Sequence, residues 1–167
     1  MSINNYKNEF EKILNRNYFS KLMHPYRKEA FDQLKKIGFP TKKWEDWRFT
    51  DLNSISKGKF KISEIEDAPT NILNADLYKM ADVETIIIYN GHYQENISTF
   101  STEIKILNGL ENFQSKNVPF TTSSQSPFDL FNTAFADNGT FLSVKNNTIV
   151  EKPIRILFIS NGKRKIM

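Results

Sequence analysis

The side chains that most often carry chemistry are scarce in this chain. It contains two histidines, His24 and His92, and no cysteine. Neither histidine has a histidine, aspartate or glutamate at metal-ligand spacing on a common face. We expect His92 to be exposed after a hairpin turn, and His24 to be a helix N-cap or a surface group. The sequence therefore predicts no metal-ligating residue.

Other candidate reactive groups also lack the partners that catalysis needs. Glu45 and Asp46 lie near Asp51, but adjacent carboxylates in an aromatic-rich segment are expected to pair with neighbouring basic side chains. Ser123-Ser124 is not in the strand–turn–helix context of a nucleophile. No phosphate-binding string of the G-x-x-x-x-G-K-[ST] or G-x-G-x-x-G type occurs. We expect no catalytic or cofactor-binding residue, and the chain is predicted not to be an enzyme.

Composition and charge limit the class of protein. With 39% hydrophobic residues and 14 phenylalanines among 167 residues, the chain is typical of globular proteins. Residues 1–63 carry 14 basic and 7 acidic side chains (net +7), residues 64–151 carry 4 and 12 (−8), and residues 152–167 carry 5 and none (+5). Basic ends occur in nucleic-acid-binding arms, but here the first part mixes both signs at helical spacing, as on a solvated helix face.

Nothing in the sequence predicts a membrane span or an export signal. No segment approaches the ~20 apolar residues that a spanning helix needs. The first twenty residues mix charge with spaced apolar positions and contain no continuous apolar stretch. The absence of cysteine excludes disulfides and thiolate-bound metals or clusters, and fits a reducing compartment. We therefore expect a cytoplasmic protein.

Two helices are predicted in the first forty residues. The apolar stripe of the first consists of Tyr6, Phe10, Ile13 and Leu14. The second begins at His24-Pro25, because proline suits a first helical turn. Its predicted buried face consists of Tyr26, Ala30, Leu34 and Ile37. Gly38 and Pro40 end it, so the two helices form a hairpin.

The next segment crowds three aromatic rings among charged residues. Trp44, Trp47 and Phe49 are expected to be mostly buried, since exposing such rings forfeits about 1.5–3 kcal/mol each. They are predicted to lock the helical hairpin onto the next part of the chain. The alternative is a nucleic-acid-binding module, in which these rings stack on bases beside Arg48. Burial of the rings would exclude that alternative.

Strands are predicted from β-rich runs. Glu84 to Tyr89 is followed by Asn90-Gly91 and His92 onward, and Asn-Gly between such runs is a strong hairpin signal. Ile104 to Leu107 predicts another short strand. Further along, Phe128 to Ala136 predicts a compact helix. Three β-rich runs come after it: Thr140–Val144, Thr148–Val150 and Ile154–Ile159. Their spacing fits a sandwich, a barrel or a β-solenoid equally well.

Two motifs, one near each end of the chain, are specific in their spacing. The first consists of Gly38, Pro40, Lys43, Glu45, Trp47, Arg48, Phe49, Thr50 and Leu52. The second consists of Leu130, Asn132, Ala134, Phe135, Ala136, Asp137 and Gly139, with Val150, Glu151, Lys152, Pro153 and Ile154. Both resemble the SufB/SufD family of iron–sulfur cluster assembly proteins. The absence of cysteine and the tryptophan motif favour the SufD branch over the SufB branch.

The resemblance implies an α+β fold with two parts. Residues 1–118 are expected to form an N-terminal α+β domain with the helical hairpin, the tryptophan motif and the β-hairpin. Residues 119–127, a polar segment bounded by prolines, form the linker. Residues 128–167 are expected to begin a right-handed parallel β-helix that is incomplete here and continues beyond Met167 in the family. An open edge of that β-helix is expected to favour self-association.

The resemblance also implies a function, that of a scaffold subunit in the SufBCD complex. In the family, SufD pairs with SufB, and both dock on SufC, which uses ATP while the complex handles an iron–sulfur cluster. The residues that handle iron or cluster belong to later parts of the family's sequence, so none is carried over to this chain. We expect SufB-like and SufC-like partners, no cofactor bound by this chain, no membrane and no nucleic acid.

Overall fold

A computed structural model describes residues 3–16, 23–69, 80–101, 104–108, 126–137 and 139–161. These residues form a mixed α+β structure with two small sheets. The helices are α1 (Lys7–Asn15), α2 (His24–Ile37), α3 (Asn53–Ser56) and α4 (Pro127–Phe135), with 3₁₀ turns at Ile3–Tyr6, Glu45–Trp47 and Glu95–Ile97. The strands are β1 (Glu84–Tyr89), β2 (His92–Tyr93), β3 (Ile104–Asn108), β4 (Thr140–Val144) and β5 (Ile154–Ile159).

The first two helices confirm the predicted helical elements. Helix α1 follows the Ile3–Tyr6 turn, and α2 begins at His24 with Pro25 in its first turn. At the end of α2, Gly38 adopts a φ of 70° and donates its N–H to the carbonyl of Leu34 at 2.7 Å. Because L-residues with a side chain are strained at positive φ, glycine is the residue that ends this helix at low cost.

The buried face of α2 differs from the prediction. Ala30 and Leu34 are fully buried as expected, but Tyr26 and Ile37 are 41% and 42% exposed. Arg27 and Phe31 are buried in their place. The four buried positions are Arg27, Ala30, Phe31 and Leu34, an i, i+3, i+4, i+7 stripe rotated by about one residue from the predicted one. The rotation arises because α4 packs against this side of α2.

Helix α4 lies in the centre of an aromatic core. The ring centroid of Phe135 is 5.9 Å from the centroids of Tyr6, Phe10 and Phe31, in edge-to-face arrangements. Ala134 is fully buried, and its small side chain allows close approach of α4 to α2. Helical segments from both sides of the predicted linker therefore share one core. The linker itself stays a prediction, because residues 119–125 lie outside the described residues.

The predicted β-hairpin is confirmed. Strands β1 and β2 pair antiparallel, with Ile88 opposite Tyr93 and Tyr89 opposite His92. Asn90 and Gly91 have φ values of 48° and 88°. Positive φ at both turn positions is the requirement of a type I′ turn, which the Asn-Gly pair meets with little strain.

Strand β5 completes the three-stranded sheet, whose order is β2-β1-β5. It pairs parallel to β1, from Glu84 opposite Ile154 to Tyr89 opposite Ile159. Strands β3 and β4 form a separate antiparallel pair. The predicted strand Thr148–Val150 is wrong: Asn147 has a φ of 61°, and Thr148 donates its N–H to Lys145 at 3.3 Å, which closes a turn instead.

The right-handed parallel β-helix is not shown in the described part of the chain, which contains only the two small sheets. A single parallel pair, β1 with β5, is present there. A second apolar cluster covers one face of that pair, with Ile87, Tyr89 and Ile159 packed against Ala68 and Ile97. Among the described helices, none has the length and apolar character needed to cross a membrane.

Two phenylalanines of the same segment provide a matched test of this core. Phe39 is 1% exposed and its ring lies 5.4 Å from Phe131, whereas Phe49 is 90% exposed. We expect Phe39→Ala to lower the free energy of unfolding by about 3–5 kcal/mol, because it leaves a cavity among aromatic rings. Phe49→Ala is expected to change it by less than about 0.5 kcal/mol. Urea titrations of both variants measure the difference, and equal losses would contradict the packing described.

Candidate functional site

The structure places the two histidines differently from the sequence-based expectation. His92 begins β2 and is 3% exposed, so the expectation of an exposed histidine is wrong. Its Nε2 lies 2.9 Å from the hydroxyl oxygen of Ser63, because residues 61–63 pack beside the hairpin. His24 is the first residue of α2, and Met23 occupies the N-cap position. Within the described ranges, no three histidine or carboxylate side chains group in a way that could hold a metal ion.

A buried polar network lies where α4 ends. Arg16 follows α1, donates from Nη1 to Oδ2 of Asp137, and donates from Nη2 to the carbonyl of Ser63 at 2.9 Å. Arg27 of α2 is 1% exposed and donates from Nε and Nη2 to the carbonyl of Ala136 at 3.1 and 2.8 Å. Two guanidinium groups from two helical segments thus bind the carbonyl of Ala136 and one carboxylate oxygen of Asp137, which follow α4.

Burial sets the electrostatics of this polar network. Burial raises the pKa of Asp137, and the charge and hydrogen bond of Arg16 oppose the rise. Burial lowers the pKa of His92, which the nearby carboxylate of Asp137 opposes. Burial also lowers the pKa of Arg27. The lowered pKa of His92 favours a neutral imidazole at physiological pH, beside an ion pair already formed by Arg16 and Asp137.

The contact between Ser63 and His92 is similar to a nucleophile–base pair, but its surroundings favour a structural role. A catalytic serine must meet its substrate, whereas Ser63 is 7% exposed and packs against the hairpin. The carboxylate of Asp137 is engaged by Arg16. The pair therefore satisfies two buried polar side chains and ties the 61–63 segment to β2.

A polar cavity of about 490 Å³ adjoins the network. Its lining includes the carboxylates of Glu9, Glu64, Glu66 and Asp67. Glu9, the buried one, accepts hydrogen bonds from Lys12 at 2.6 Å and from the N–H of Ile62 at 3.1 Å. Burial alone would raise the pKa of Glu9, but these bonds and the charges of Lys12 and Lys61 hold it below its usual value. The deep carboxylate of the cavity is thus engaged by groups of the chain itself.

The second candidate site is an exposed surface in the tryptophan motif, here called the aromatic surface and defined by Trp44, Arg48 and Phe49. The expectation that all three rings of this segment are mostly buried is wrong for two of them. Phe49 is 90% exposed and Trp44 is 40% exposed. Trp47 alone is directed inward, with its ring centroid 5.0 Å from Phe128. The guanidinium of Arg48 lies 4.7 Å from the centroid of the Phe49 ring.

Backbone hydrogen bonds hold the aromatic surface in place. Trp47 donates its N–H to Trp44 at 3.0 Å, and Thr50 donates to Trp47 at 3.1 Å. Asp51 accepts the N–H of Asn53, the first residue of α3, at 2.8 Å. That hydrogen bond is the main reason why the pKa of Asp51 is lowered. The exposed rings are therefore presented by a hydrogen-bonded loop.

The acidic residues considered from the sequence do not converge on a reaction centre. Glu45 forms an ion pair with Arg48 at 3.6 Å, and Asp51 accepts the N–H of Asn53. Asp46 lies exposed in the 3₁₀ turn between them. Ser123 and Ser124 lie outside the described residues.

Sequence reasoning missed the buried polar network. Arg16 and Asp137 are 121 positions apart, and Arg27 and Ala136 are 109 apart. Residue spacing within one or two helical turns gives no information about contacts between residues so far apart in the sequence. The one available signal was the i, i+3, i+4 position of Arg27 beside Ala30 and Phe31, which put a cation on a helix face that was otherwise apolar.

Comparison with known proteins found one family. The family described as SufBD protein N-terminal region matches residues 2–156. The match spans α1, the aromatic surface, the hairpin, α4 and the first half of β5. No curated protein matches the chain.

The buried histidine predicts a pH dependence of stability. An unfolded histidine takes up a proton near pH 6.5, whereas folded His92 does so only at lower pH. The unfolded state therefore binds more protons below about pH 6.5, so stability falls as the pH falls through this range and is independent of His92 above it.

We expect His92→Gln to remove this part of the dependence while its amide still reaches Ser63. Urea titrations of both proteins between about pH 5 and 8 measure the difference in free energy of unfolding. Carboxylates that do not interact with His92 cancel in the difference, whereas Asp137, whose charge acts on His92, contributes to it. Parallel pH profiles would show that His92 titrates in the folded protein as it does in the unfolded chain.

Proposed function

Because this chain belongs to the SufBD family of iron–sulfur cluster assembly proteins, we propose that it acts as a scaffold subunit of the SufD type. It works through contacts with SufB-like and SufC-like proteins rather than through catalysis. The observation that carries the proposal is the family match over residues 2–156, which includes both the helical core and the strand that follows it. The SufD type, rather than SufB, is supported by the absence of cysteine.

The described surface supports a role in protein contacts. Exposed large apolar side chains grouped on a surface are typical of interaction sites. Here they occur on the aromatic surface, with Phe49 and Trp44, and along β5, where Phe158 is 75% exposed. The hydrogen-bonded loop that presents Phe49 reduces the conformational entropy lost on binding.

The chemistry of the complex is proposed to lie in its other subunits. The chain has no thiolate to hold a cluster and no phosphate-binding string. The SufC-like subunit is the proposed site of ATP use, and the iron–sulfur cluster is cargo of the assembly. This chain is proposed to be a cytoplasmic protein without a bound cofactor.

The pairing of β1 with β5 supports a parallel β-helix as part of the proposal. Six residues of each strand pair in parallel, in the register Glu84 to Tyr89 with Ile154 to Ile159. A parallel β-helix is built from such ladders, repeated coil after coil. We propose that β5 belongs to the first coil of this architecture.

The scaffold proposal is tested by assembly. The purified chain, mixed with SufB-like and SufC-like proteins of the same organism, is expected to co-elute with them in size-exclusion chromatography. We expect Phe49→Ala to weaken that association at least about fivefold, since truncation of an aromatic anchor costs on the order of 1–2 kcal/mol or more. Ile149→Ala is the matched control, because Ile149 is 84% exposed but lies outside the aromatic surface. Separate elution of all three proteins would contradict the scaffold role.

A second function, single-stranded nucleic-acid binding, is favoured by one observation. The Phe49 ring is 90% exposed beside Arg48, so the burial that would have excluded base stacking does not occur. Lys42 and Lys43 add positive charge to the same segment of the sequence.

Fluorescence anisotropy with a labelled single-stranded oligonucleotide tests this second function. If it holds, affinity falls steeply with salt, and Phe49→Ala weakens binding about 5- to 150-fold, the loss of one stacked base. The scaffold proposal predicts no such sensitivity to Phe49→Ala. Binding that responds to salt but not to Phe49→Ala would reject base stacking at the aromatic surface.

A further inference from the structure

A groove of about 380 Å³ lies between residues 40–43 and residues 50–53, and is called the 40–53 groove below. Its buried lining residues are Pro40 and Leu52, so the buried part of its lining is apolar. The aromatic surface belongs to the segment that joins the two sides of the groove. A volume at the lower end of ligand pockets leaves room for a few side chains of a peptide.

Positive charge surrounds the 40–53 groove. Lys42 and Lys43 are exposed lining residues. Asp51 is the single carboxylate among the described lining residues. Besides the hydrogen bonds from Asn53, the charges of Lys42 and Lys57 lower the pKa of Asp51, so both ammonium groups lie near this carboxylate. Three lysines and one aspartate therefore give the surroundings of the groove a net charge of +2.

The three lysines around the groove differ from the paired lysines of the helices. Lys7, Lys12 and Lys35 each have a carboxylate oxygen within 4.0 Å of the ammonium nitrogen. None of the ion pairs between described residues involves a lysine of the groove. Their ammonium groups are therefore available to an anionic group of a ligand.

Hydrogen bonds within the chain hold both sides of the groove. The hydroxyl of Thr41 accepts the N–H of Lys43 at 3.3 Å, and its carbonyl accepts the N–H of Trp44 at 2.9 Å. On the other side, Ser56 donates its N–H to the carbonyl of Leu52 at 2.9 Å. Because the groove is formed before a ligand arrives, the protein loses little conformational entropy on binding.

Exposed aromatic rings adjoin the groove in the chain. Trp44 directly follows Lys43, and Phe49 directly precedes Thr50. Their rings are 40% and 90% exposed. A ligand that places an apolar side chain in the groove can extend its apolar contacts onto these rings. The matching ligand therefore combines apolar side chains with negative charge.

The distribution of charge favours an acidic peptide over a nucleic acid. Glu45, Asp46 and Asp51 are interspersed among the basic residues of this segment, and Arg48 is paired with Glu45 at 3.6 Å. A nucleic-acid backbone is bound along a continuous basic groove, which these carboxylates interrupt. An acidic peptide offers separate carboxylates and apolar side chains, which match separate lysines beside an apolar groove.

We propose that the 40–53 groove binds an acidic segment of a protein partner, with an apolar side chain of that segment in the groove and its carboxylates at Lys42 and Lys43. The proposal rests on the scaffold function, since it assigns the groove to one of the protein contacts of the scaffold. Exposed ion pairs are individually weak, so the binding is expected to be weak and sensitive to salt.

Synthetic peptides test the groove directly. The probe is a fluorescein-labelled peptide of about twelve residues, in which each leucine is followed by two glutamates. Two matched peptides carry serine in place of leucine, or lysine in place of glutamate. Fluorescence anisotropy is expected to show binding of the probe that weakens with salt, and at least about fivefold weaker binding of both matched peptides. No binding of the probe, or equal affinity for the leucine and serine peptides, would overturn the proposal.

Charge reversal in the chain supplies a matched pair of variants. We expect the double substitution Lys42→Glu and Lys43→Glu to weaken binding of the probe at least about fivefold, because repulsion replaces attraction at the groove. Lys35→Glu with Lys36→Glu is the control, since it makes the same change in net charge at exposed positions of α2. All four side chains are exposed, so both variants are expected to fold. Equal losses of affinity would show a response to overall charge and overturn the proposal.

Two comparisons separate this proposal from the other functions. If a labelled single-stranded oligonucleotide binds more tightly than the probe, and loses affinity in Lys42→Glu with Lys43→Glu, the groove is a nucleic-acid site and the proposal is wrong. Co-elution of the unmodified chain with SufB-like and SufC-like proteins, without binding of the probe, would reject the groove and leave the scaffold function intact. Binding of the probe without co-elution would reject the scaffold function and leave the affinity of the groove for acidic peptides.

Discussion

The packing of α4 against α1 and α2 is the contact on which the rest of the structure depends. Phe135 lies among rings from the first and second helices, and the fully buried Ala134 lets the helix backbones approach. Aromatic burial supplies most of the driving force, since each ring removes a large apolar area from water. Because α4 leads directly to β4 and β5, its position also determines where these strands can pair. Strand β5 then lies beside β1, about seventy residues earlier in the chain.

The buried polar network forms as a result of that packing and restricts the orientation of α4. The burial of Arg27 and Asp137 is unfavourable unless each charge finds a partner. Arg27 bonds to the carbonyl of Ala136, and Arg16 pairs with Asp137. A shifted α4 would leave these groups unsatisfied, so the network restricts the orientation of the helix more than it adds net stability. The buried contact between His92 and Ser63 links the β-hairpin to the same region.

Unlike the core, two parts of the surface leave large apolar side chains exposed to solvent. On the aromatic surface and along β5, these side chains are exposed while their backbones are held by hydrogen bonds within the chain. Such exposure is unfavourable for an isolated chain and is typical of proteins that work in assemblies. This agrees with membership in a family of iron–sulfur cluster assembly proteins. The two surfaces also differ in chemistry: Phe49 pairs its ring with a cation, whereas Ile154, Ile156 and Phe158 form an apolar row along β5.

Local sequence signals predicted most of the described helices and strands, although the strand predicted at Thr148–Val150 is a turn. Periodicity located α1, α2 and α4, Gly38 ended α2, and Asn90-Gly91 produced the hairpin, because each of these depends on residues within one or two turns. The same signals did not reveal which face of α2 is buried, that Phe49 is exposed, that β5 pairs with β1, or that Arg16 meets Asp137. Those features depend on contacts between residues tens of positions apart, where many alternatives have similar local preferences. The packing of α4 selects among these alternatives, because it buries the aromatic rings of the core and gives both Arg27 and Asp137 a hydrogen-bond partner.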